Sequence, residues 1–376
     1  MMRGVAILGS TGSIGRSALA VLGRHADRFR VVALAAYQNA PELRAQVDRF
    51  QPDLAVLVSG AAETGWQAGR EGLMEAATHP DVDIVINAVV GAAGLEATLA
   101  ALQAGKRLAL ANKESLVAGG PLVLRALGSG RGELIPVDSE HSAILQCLTG
   151  SNQNRVKRLI LTASGGPFRQ LDETALSTVT PAQALRHPTW DMGAKVTIDS
   201  ATLANKALEV IEAHFLFGLD YNAIEAVVHP QSIIHSMVEF VDGSVLAQLG
   251  FPTMEMPILY ALTHPDRLAD TGTRAFDPVL ARSLTFEPVD PARFRAYSLG
   301  LEAGRTGGTM PAVFNAANEV AVAGFLAGNL PFPGIAQVIE MALEAHRPME
   351  VDCLETVLEA DRETRVLAHE ALNQRC

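Results

Sequence analysis

Short apolar runs alternate with amphipathic stretches along the first 140 residues. The runs have the length of buried strands, and the stretches between them place their apolar residues on one helical face. Strand, helix and strand repeated at this spacing favour right-handed crossovers and a parallel sheet. The predicted strands are Val5–Leu8, Val31–Ala36, Leu54–Val58, Asp83–Val89, Arg107–Ala111 and Glu133–Val137, and the predicted helices are Ile14–His25, Pro41–Phe50, Gly94–Ala104 and Leu116–Leu127.

The pattern changes after about residue 150, where strands and helices are grouped and favour an α+β domain. Asp242-Gly243 separates two apolar runs like a two-residue hairpin loop, which predicts an antiparallel pair. Residues 265–300 show weak periodicity and are expected to form a connecting segment. The predicted strands are Val156–Ala163, Ala223–His229, Ser232–Val241 and Ser244–Leu249, and the predicted helices are Ser200–Phe217, Ala312–Ala327, Gly334–His346 and Cys353–Leu372.

Composition and charge narrow the class of protein. With 376 residues, 48% of them hydrophobic and 19% charged, the chain has apolar material for about two to three packed domains. The formal net charge of −11 argues against a broad surface for nucleic acid or an anionic membrane. A small phosphorylated substrate is compatible with this charge, because a few local cations and backbone amides can hold a phosphate.

Cysteine use and hydropathy bear on the expected location of the protein. Cys147, Cys353 and Cys376 are odd in number and widely spaced, which argues against a disulfide framework and a cysteine-based zinc site. No run of about 20 apolar residues is present, so no membrane partner is expected, and a cytoplasmic location is the default expectation.

A glycine-rich turn follows the first predicted strand. Val5–Leu8 leads into Gly9-Ser10-Thr11-Gly12-Ser13-Ile14-Gly15 and then into a helix. Glycines there allow a tight turn and a close approach to a pyrophosphate, whose charge the N–H groups of the helix N-terminus stabilise. This context predicts a Rossmann-like dinucleotide site, with an ordinary strand-to-helix loop as the alternative, since G-x-x-G-x-x-G is not the commoner spacing.

The end of the second predicted strand bears on the choice of dinucleotide. NAD-binding folds usually place an Asp or Glu there for the ribose 2′-hydroxyl. This chain has Tyr37-Gln38-Asn39 instead, which disfavours NAD and fits NADP, whose 2′-phosphate a carboxylate would repel. No Lys or Arg stands at that point, and Arg16 is a candidate only if its side chain turns back toward the glycine-rich turn.

Acidic residues cluster at the end of the first domain. Pro136-Val137-Asp138-Ser139-Glu140-His141 is predicted to close the last strand, and in an extended chain Asp138 and Glu140 face the same side. Glu209, on the long predicted helix, could supply a third carboxylate. Such a set suits a hard divalent ion, Mg²⁺ or Mn²⁺, and a solvated acidic strand end is the alternative.

Two stretches could cradle a phosphate. Thr162-Ala163-Ser164-Gly165-Gly166-Pro167-Phe168 follows a strand and offers a hydroxyl and flexible amides. Ser200, Asn205 and Lys206 lie in the first turns of the long predicted helix, where Lys206 carries the only full charge. A simple N-cap role for Ser200 is the alternative.

Two more segments have the composition of functional loops. Ala111-Asn112-Lys113-Glu114-Ser115 follows a parallel strand, where open α/β sheets bind ligands. His187-Pro188-Thr189-Trp190-Asp191-Met192-Gly193 combines a polar ring, a rigid Pro, large apolar groups and a Gly. That mixture suits a lid that excludes water, and a local hydrophobic plug is the alternative.

Seven motifs occur in an order that resembles the 1-deoxy-D-xylulose 5-phosphate reductoisomerase family: GSTGSIG, LANKES, PVDSEH, SGGPF, HPTWDMG, DSATLANKALE and HPQSIIHSM. The resemblance runs from residue 5 to about residue 325 and includes Ala316–Glu319. It implies a homodimeric α/β enzyme that uses NADPH and a divalent metal (Mg²⁺ or Mn²⁺, with Co²⁺ as a further candidate). The implied reaction rearranges and reduces 1-deoxy-D-xylulose 5-phosphate to 2-C-methyl-D-erythritol 4-phosphate, in the non-mevalonate isoprenoid pathway.

The resemblance also implies a division of the chain. It consists of an NADPH-binding Rossmann-like domain with a parallel sheet at residues 1–137, and a central α+β catalytic domain for metal and substrate at 138–275. A connecting segment at 276–303 and a C-terminal helical domain at 304–376 follow.

Carried over motif by motif, the resemblance gives individual residues a role. The metal ligands would be Asp138, Glu140 and Glu209, and these three with Lys113 and His187 would be catalytic. The substrate contacts would be Lys113, Ser139, Glu140, Ser164, His187, Ser200, Asn205, Lys206 and Glu209. The NADPH contacts would be Thr11, Gly12, Ser13, Ile14, Asn39, Asn112, Glu114 and Gly193. The chain departs from the family at Tyr37-Gln38, where members often carry Gly-Lys, which weakens the expected contact with the 2′-phosphate.

Two other functions stay open at this point. A metal-independent NADP-dependent sugar-phosphate dehydrogenase would stay active in excess chelator. A non-catalytic NADP-sensing protein would lack a carboxylate or lysine of the second domain, whereas Asp138, Glu140, Lys206 and Glu209 are all present.

Overall fold

A computed structural model describes residues 2–373 of the chain. Cys376 and the last three positions of the predicted segment 304–376 lie outside the described residues. The strands are β1 (Arg3–Leu8), β2 (Phe29–Ala36), β3 (Leu54–Leu57), β4 (Gln67–Ala68), β5 (Ile84–Asn87), β6 (Arg107–Leu110), β7 (Glu133–Pro136), β8 (Val156–Ala163), β9 (Ile224–Val228), β10 (Ile234–Phe240), β11 (Val245–Leu249) and β12 (Glu287–Pro288).

The helices fall between these strands and dominate the last part of the chain. They are α1 (Ser13–Arg24), α2 (Ala40–Phe50), α3 (Gly69–Thr78), α4 (Leu95–Gln103), α5 (Lys113–Ser129), α6 (Ser139–Leu148), α7 (Glu173–Leu176), α8 (Pro181–Ala184), α9 (Ala194–Thr202), α10 (Ala204–Phe217), α11 (Glu255–Thr263), α12 (Pro278–Ala281), α13 (Arg295–Thr306), α14 (Met310–Leu326), α15 (Phe332–Ala345) and α16 (Leu354–Asn373).

The chain divides into two compact units. Unit 1 comprises Met1–Ser115, Leu122–Ser142 and Thr253–Arg274, and unit 2 comprises Leu116–Pro121, Ala143–Pro252 and Ala275–Cys376. This division differs from the four segments predicted from the sequence, because Thr253–Arg274 belongs to unit 1.

Unit 1 is built on a parallel sheet of seven strands in the order β4-β3-β2-β1-β5-β6-β7. Val5–Leu8 of β1 is fully buried, as expected for a central strand covered on both faces. The strand order reverses between β1 and β5, where the ends of both strands, Leu8 and Asn87, are register partners. Open α/β sheets bind ligands at such a reversal, so this edge of the sheet is the candidate site of unit 1.

The returning segment Thr253–Arg274 is fastened to unit 1 by ion pairs. Arg24, in the last turn of α1, lies 2.7 Å from Asp270 and 2.6 Å from Glu255. Nε and Nη2 of Arg24 donate to the two carboxylate oxygens of Asp270. This bidentate contact suits the planar guanidinium group.

Unit 2 contains a mixed sheet of five strands in the order β11-β10-β8-β9-β12. β8 and β9 are parallel, and the other neighbours are antiparallel. Its largest core gathers buried residues of α10, α13, α14, α15 and α16, with Phe314 and Phe325 among the fully buried side chains. The predicted fold class is confirmed: an N-terminal parallel sheet, a central α+β part and C-terminal helices.

Most predicted elements are confirmed, and three regions differ. The predicted helix Ser200–Phe217 is two helices, because Leu203 adopts left-handed backbone angles (φ 57°) and ends α9 before α10 begins. The predicted connecting segment 265–300 contains α12, β12 and the start of α13. Among the other helices, α3, α6, α7, α8 and α11 were not predicted.

Among residues 2–373, no helix combines the length and apolarity needed to cross a bilayer. Cys147 is a buried free thiol and Cys353 an exposed one.

Candidate active site

The glycine-rich turn joins β1 to α1 in unit 1. Gly9 has φ +89°, a conformation that favours glycine, and a Cβ on Gly15 would lie 2.4 Å from the carbonyl oxygens of Gly9 and Ser10. Gly12 is the N-cap of α1 and makes no side-chain capping bond. The first N–H groups of α1 are therefore available to an anion, and the predicted contact residues Thr11, Gly12, Ser13 and Ile14 are all at least partly exposed.

The side chains around this turn carry little positive charge. Arg16 does turn back, since its Nη1 donates to the carbonyl of Thr11 at 2.6 Å. Tyr37 is 65% exposed at the end of β2, and Gln38 is exposed beside it. Asn39 is the N-cap of α2 and accepts a hydrogen bond from the N–H of Glu42 at 3.3 Å. The segment 37–39 thus offers polar groups and an aromatic ring, but no cation.

The predicted geometry of the acidic motif is wrong in one respect. β7 ends at Pro136 and α6 begins at Ser139, so Asp138 and Glu140 lie at a strand-to-helix turn and not along an extended strand. The carboxylate of Asp138 accepts from the N–H of Glu140 at 3.2 Å, and its carbonyl accepts from the N–H of Ser142 at 2.8 Å. These bonds begin the helix, whose free N–H groups favour acidic residues in the first turn.

Lys113 and His141 determine the charge of Asp138. The ammonium of Lys113 lies 2.7 Å from the carboxylate, and Nδ1 of His141 lies 3.3 Å from its other oxygen. Burial raises the pKa of Asp138, but the charges and hydrogen bonds of Lys113 and His141 outweigh it and hold that pKa well below its usual range. Asp138 is therefore ionised at neutral pH.

Ser139 and Glu140 lie beside this pair in the first turn of α6. The hydroxyl of Ser139 donates to the carboxylate of Glu140 at 2.5 Å. His141 was not assigned a role from the sequence. A helical spacing of i, i+3 from Asp138 would have indicated it, but the motif had been predicted as a strand.

In unit 2, His187 bridges two serine hydroxyls. Its Nε2 lies 2.9 Å from Oγ of Ser164 and 3.1 Å from Oγ of Ser200. Its Nδ1 accepts hydrogen bonds from the N–H groups of Thr189 and Trp190, at 3.1 and 2.9 Å. Burial lowers the pKa of His187 to about 4. The ring is thus neutral at pH 7 and carries its proton on Nε2, directed at the serines.

The loop that carries Ser164 can lie this close only because it contains two glycines. Gly165 and Gly166 both have positive φ, and a Cβ on Gly166 would lie 2.6 Å from the carbonyl oxygen of Ser200. Arg293 holds the following turn, since its guanidinium donates to the carbonyls of Phe168 and Arg169 at 2.7 Å and to that of Leu171. The loop conformation is therefore fixed from both sides.

A second polar group lies on α10 of unit 2. Lys206 is 3% exposed, donates to the carbonyl of Thr162 at 2.5 Å and pairs with the carboxylate of Glu209. Asn205 also donates to Glu209, which is 1% exposed. The spacing of three and four residues places these side chains on one face of the helix.

The chain is similar to known proteins over nearly its whole length. Three sequence profiles match: 1-deoxy-D-xylulose 5-phosphate reductoisomerase at residues 5–120, its C-terminal domain at 134–217, and the DXP reductoisomerase C-terminal domain at 249–367. A curated relative of that name from Pelotomaculum thermopropionicum is 51% identical over 97% of both chains. One from Symbiobacterium thermophilum is 51% identical, over 98% of this chain and 99% of the relative.

The chain belongs to the 1-deoxy-D-xylulose 5-phosphate reductoisomerase family.

Solved structures of the family share the fold over its whole length. The reductoisomerase of Zymomonas mobilis in complex with NADPH is 43% identical, with a TM-score of 0.92 over 99% of both chains. A DOX-P reductoisomerase in complex with NADPH, fosmidomycin and magnesium is 38% identical, with a TM-score of 0.93 over 99% of this chain and 98% of that one.

A buried network in unit 2 was missed from the sequence. Asp199 of α9 is 1% exposed, lies 2.8 Å from the ammonium of Lys195, and accepts from the amide of Asn318 at 2.8 Å. The helix had been predicted to begin only at Ser200, so the i, i+4 pair of Lys195 and Asp199 was not recognised. Asp199 joins α9, which carries Ser200, to the C-terminal helix α14.

The remaining predicted residues lie at the N-termini of α9 and α5. Gly193, exposed, is the N-cap of α9, and its carbonyl accepts from the hydroxyl of Thr197 at 3.0 Å. Asn112 is the N-cap of α5, and Glu114 lies in the first turn of that helix.

Proposed function

We propose that this protein catalyses the NADPH- and divalent-metal-dependent conversion of 1-deoxy-D-xylulose 5-phosphate to 2-C-methyl-D-erythritol 4-phosphate. Family membership supports the reaction, since the curated relatives at about 50% identity carry that name over nearly their whole length. The solved relatives contain NADPH and magnesium. The observation that carries the proposal is Asp138, a carboxylate only 12% exposed that is kept ionised beside Lys113.

Asp138, Glu140 and Glu209 are the proposed metal ligands. The donor set fits a hard cation, because all three offer carboxylate oxygens. Two of them already face a positive charge: Lys113 lies against Asp138, and Lys206 against Glu209. When bound, a Mg²⁺ or Mn²⁺ ion supplies a Lewis acid that polarises substrate oxygens and holds them in one orientation. Co²⁺ is a further candidate.

The phosphate of the substrate is proposed to lie against unit 2. The Nε2–H of His187 and the hydroxyls of Ser164 and Ser200 donate from one place, and Asn205 and Lys206 add an amide and an ammonium. Several neutral donors and one full charge can hold a dianion without a high density of cations. This remote binding energy is available to orient the reacting carbons.

His187 also connects the phosphate to the loop at residues 187–193. Its Nδ1 accepts from two backbone N–H groups of that loop, including that of Trp190. Contact between the phosphate and Nε2 would therefore orient Trp190, whose ring lies 6.1 Å from that of His235. The loop would then shield the reacting groups from water.

NADPH is proposed to lie along the carboxyl edge of the parallel sheet. The first turn of α1 binds the pyrophosphate, with Thr11, Gly12, Ser13 and Ile14 as contacts. Further contacts are Asn39, Asn112, Glu114 and Gly193. Lys113, Ser139 and Glu140 are proposed to contact the substrate near the nicotinamide. When bound, NADPH would supply the hydride for the reduction.

Location, assembly and domain roles are proposed with the reaction. We infer a cytoplasmic homodimer of the non-mevalonate isoprenoid pathway, with no nucleic-acid or membrane partner. Residues 1–137 bind NADPH, 138–275 supply metal and substrate contacts, 276–303 connect, and 304–376 form the helical support. A size measurement in solution tests the dimer.

A direct assay tests the reaction. Purified protein, NADPH, Mn²⁺ and 1-deoxy-D-xylulose 5-phosphate should consume NADPH, and a chelator should stop the reaction until Mg²⁺ or Mn²⁺ is restored. Glu209→Gln should abolish turnover while NADPH binding stays nearly unchanged, and Glu302→Gln, at an exposed position, should behave like the wild type. Activity in excess chelator would instead support a metal-independent dehydrogenase, and NADPH binding without any turnover would support a sensing role.

A further inference from the structure

A continuous row of buried polar side chains lies under the carboxyl ends of β5 and β6 in unit 1. Asn87, Thr98 and Ser115 are 0% exposed, and Asn112 is 1% exposed. Polar side chains buried among apolar strands are costly unless their donors and acceptors are paired. The hydrogen-bond partners of these side chains therefore indicate which segments of the backbone they stabilise.

The hydrogen bonds run in one direction along the row. The amide of Asn87 donates to the hydroxyl of Thr98 at 2.9 Å, and it also donates to the carbonyl of Gly94 at 2.9 Å. Thr98 donates to the hydroxyl of Ser115 at 3.2 Å, and Ser115 donates to the amide oxygen of Asn112. Each hydroxyl is an acceptor for one neighbour and a donor to the next, so the orientation of every member depends on the others.

Asn112 ends the row and holds two backbone segments together. Its amide nitrogen donates to the carbonyls of Val89 and Gly91 at 2.7 and 2.8 Å, and its oxygen accepts from the N–H of Ser115 at 3.1 Å. It thus fastens the turn after β5 to the first turn of α5. The amide nitrogen also donates to the carboxylate of Glu114 at 3.0 Å, and the backbone N–H donates to the carbonyl of Asn87 at 3.0 Å, so Asn112 acts on the frame of the site.

The two fastened segments border the proposed cofactor site. Lys113 directly follows Asn112. On the other side, a Cβ on Gly9 would lie 2.5 Å from the carbonyl oxygen of Ala88 and 3.2 Å from the nitrogen of Val89. The turn after β5 is therefore packed against the glycine-rich turn. The row connects the pyrophosphate turn on one side to Lys113 on the other.

We propose that Asn87, Thr98 and Ser115 are positioning residues for NADPH, which act through Asn112 to keep the 89–91 turn and Lys113 in one fixed relation. The proposal rests on the proposed function for the identity of the cofactor. None of the three touches the reacting groups. Their effect is on the geometry with which the ends of β5 and β6 meet the dinucleotide.

The test is a pair of substitutions at Thr98. Thr98→Val keeps the shape of the side chain but removes the acceptor for Asn87 and the donor to Ser115, whereas Thr98→Ser keeps both. Because both hydrogen bonds of the Thr98 hydroxyl are lost, we expect Thr98→Val to raise the dissociation constant and KM for NADPH about tenfold, with the KM for the sugar phosphate unchanged. Thr98→Ser should restore NADPH affinity to within about twofold. Thr78→Val, the same change on the exposed face of α3, should alter neither quantity.

Amide hydrogen exchange of the cofactor-free protein gives an independent measurement. Thr98→Val and Ser115→Ala should both increase exchange at residues 88–94 and 112–115, with exchange on β2 unchanged. If Thr98→Val lowers only the melting temperature, and leaves NADPH affinity and exchange at 88–94 as in the wild type, the row only fills the core and the proposal is overturned. If the wild-type protein fails to bind NADPH, the proposed function fails, and exchange still decides whether the row fixes the 88–94 segment.

Discussion

The ammonium of Lys113 lies 2.7 Å from the carboxylate of Asp138, and the two side chains are only 10% and 12% exposed. Because the pair is largely buried, each charge depends on neighbouring polar groups for compensation, and for Asp138 these include His141 as well as Lys113. Asp138 is also the residue at which we propose the divalent cation. In that proposal, the ammonium and the cation would compete for the same carboxylate.

Replacement of Lys113 separates these two partners of Asp138. Lys113→Met should lower the free energy of unfolding by about 3 kcal/mol in a metal-free buffer, because a buried carboxylate loses its partner. Mg²⁺ should stabilise the variant more than it stabilises the wild type, since the competing ammonium is gone. Urea unfolding with and without Mg²⁺ measures both effects. Lys157→Met removes a charge whose side chain is 59% exposed, and it is the matched control. If Mg²⁺ stabilises Lys113→Met and the wild type by the same free energy, competition at Asp138 is contradicted.

The pKa of His187 predicts a pH dependence of stability. Burial lowers that pKa from 6.5 to about 4, so the unfolded chain binds a proton more readily than the folded one between these values. This contribution is complete above about pH 6.5 and is lost progressively as the pH falls toward 4. Melting temperatures of wild type and His187→Asn from pH 4.5 to 7.5 should show a shallower loss in the variant.

His369, an exposed histidine of α16, supplies the control for this experiment. His369→Asn should keep the wild-type dependence on pH. If the melting temperature of His187→Asn depends on pH as steeply as that of the wild type and of His369→Asn, the neutral state of His187 is not linked to folding. The KM for the phosphorylated substrate, measured at pH 7 for His187→Asn, should rise because the Nε2–H donor is lost.

The exposed segment Tyr37-Gln38 predicts a modest selectivity for NADPH over NADH. Gln38→Lys places a cation near the proposed position of the 2′-phosphate, and an exposed charge pair there is worth about 0.5 to 1 kcal/mol. The KM for NADPH should fall by roughly two- to fivefold at low salt, with the KM for NADH unchanged. Steady-state kinetics at two salt concentrations test this. An equal change for both cofactors would place the 2′-phosphate elsewhere.

Asn318 should affect the substrate site from a distance. Its amide pairs with the buried Asp199 on α9, the helix that carries Ser200. Asn318→Ala should lower the free energy of unfolding by about 2 kcal/mol and raise the KM for the sugar phosphate, with NADPH affinity unchanged. Asn315 is equally buried on α14 but donates to Glu319. Asn315→Ala should therefore lower the free energy of unfolding without changing the KM. Equal KM changes in the two variants would show that the bond to Asp199 does not position Ser200.

Local pattern was sufficient for most of unit 1. Six of its seven strands coincide with predicted runs, because strands covered on both faces must be continuously apolar. β4 has only two residues, both exposed, and gives no such signal. In unit 2 the Asp242-Gly243 turn correctly predicted the antiparallel pair of β10 and β11, since hairpin loops depend on local residues.

The errors fall where tertiary contacts decide between local conformations. Leu203 is buried in the core of unit 2 with φ 57°, a strained conformation for a branched residue that packing must support. Leucine is a good helix former, so the residue type at this position does not indicate a helix break. The acidic motif directly follows an apolar strand, so the sequence did not indicate that a helix begins there. For the same reason the contact of His141 with Asp138 was not predicted. The assignments of individual residues to metal, substrate and NADPH stay predictions, which the experiments above test.

By itself, the sequence determined the fold class, the parallel sheet, the glycine-rich turn and the family, because all of these are written in short-range patterns of hydrophobicity, glycine and ordered motifs. Only the tertiary structure decided the protonation of His187, the partners of Asp138 and Asp199, and the buried row from Asn87 to Asn112. Those properties depend on burial and on which polar groups from separate elements meet, and neither is encoded in the spacing of residues along one chain segment.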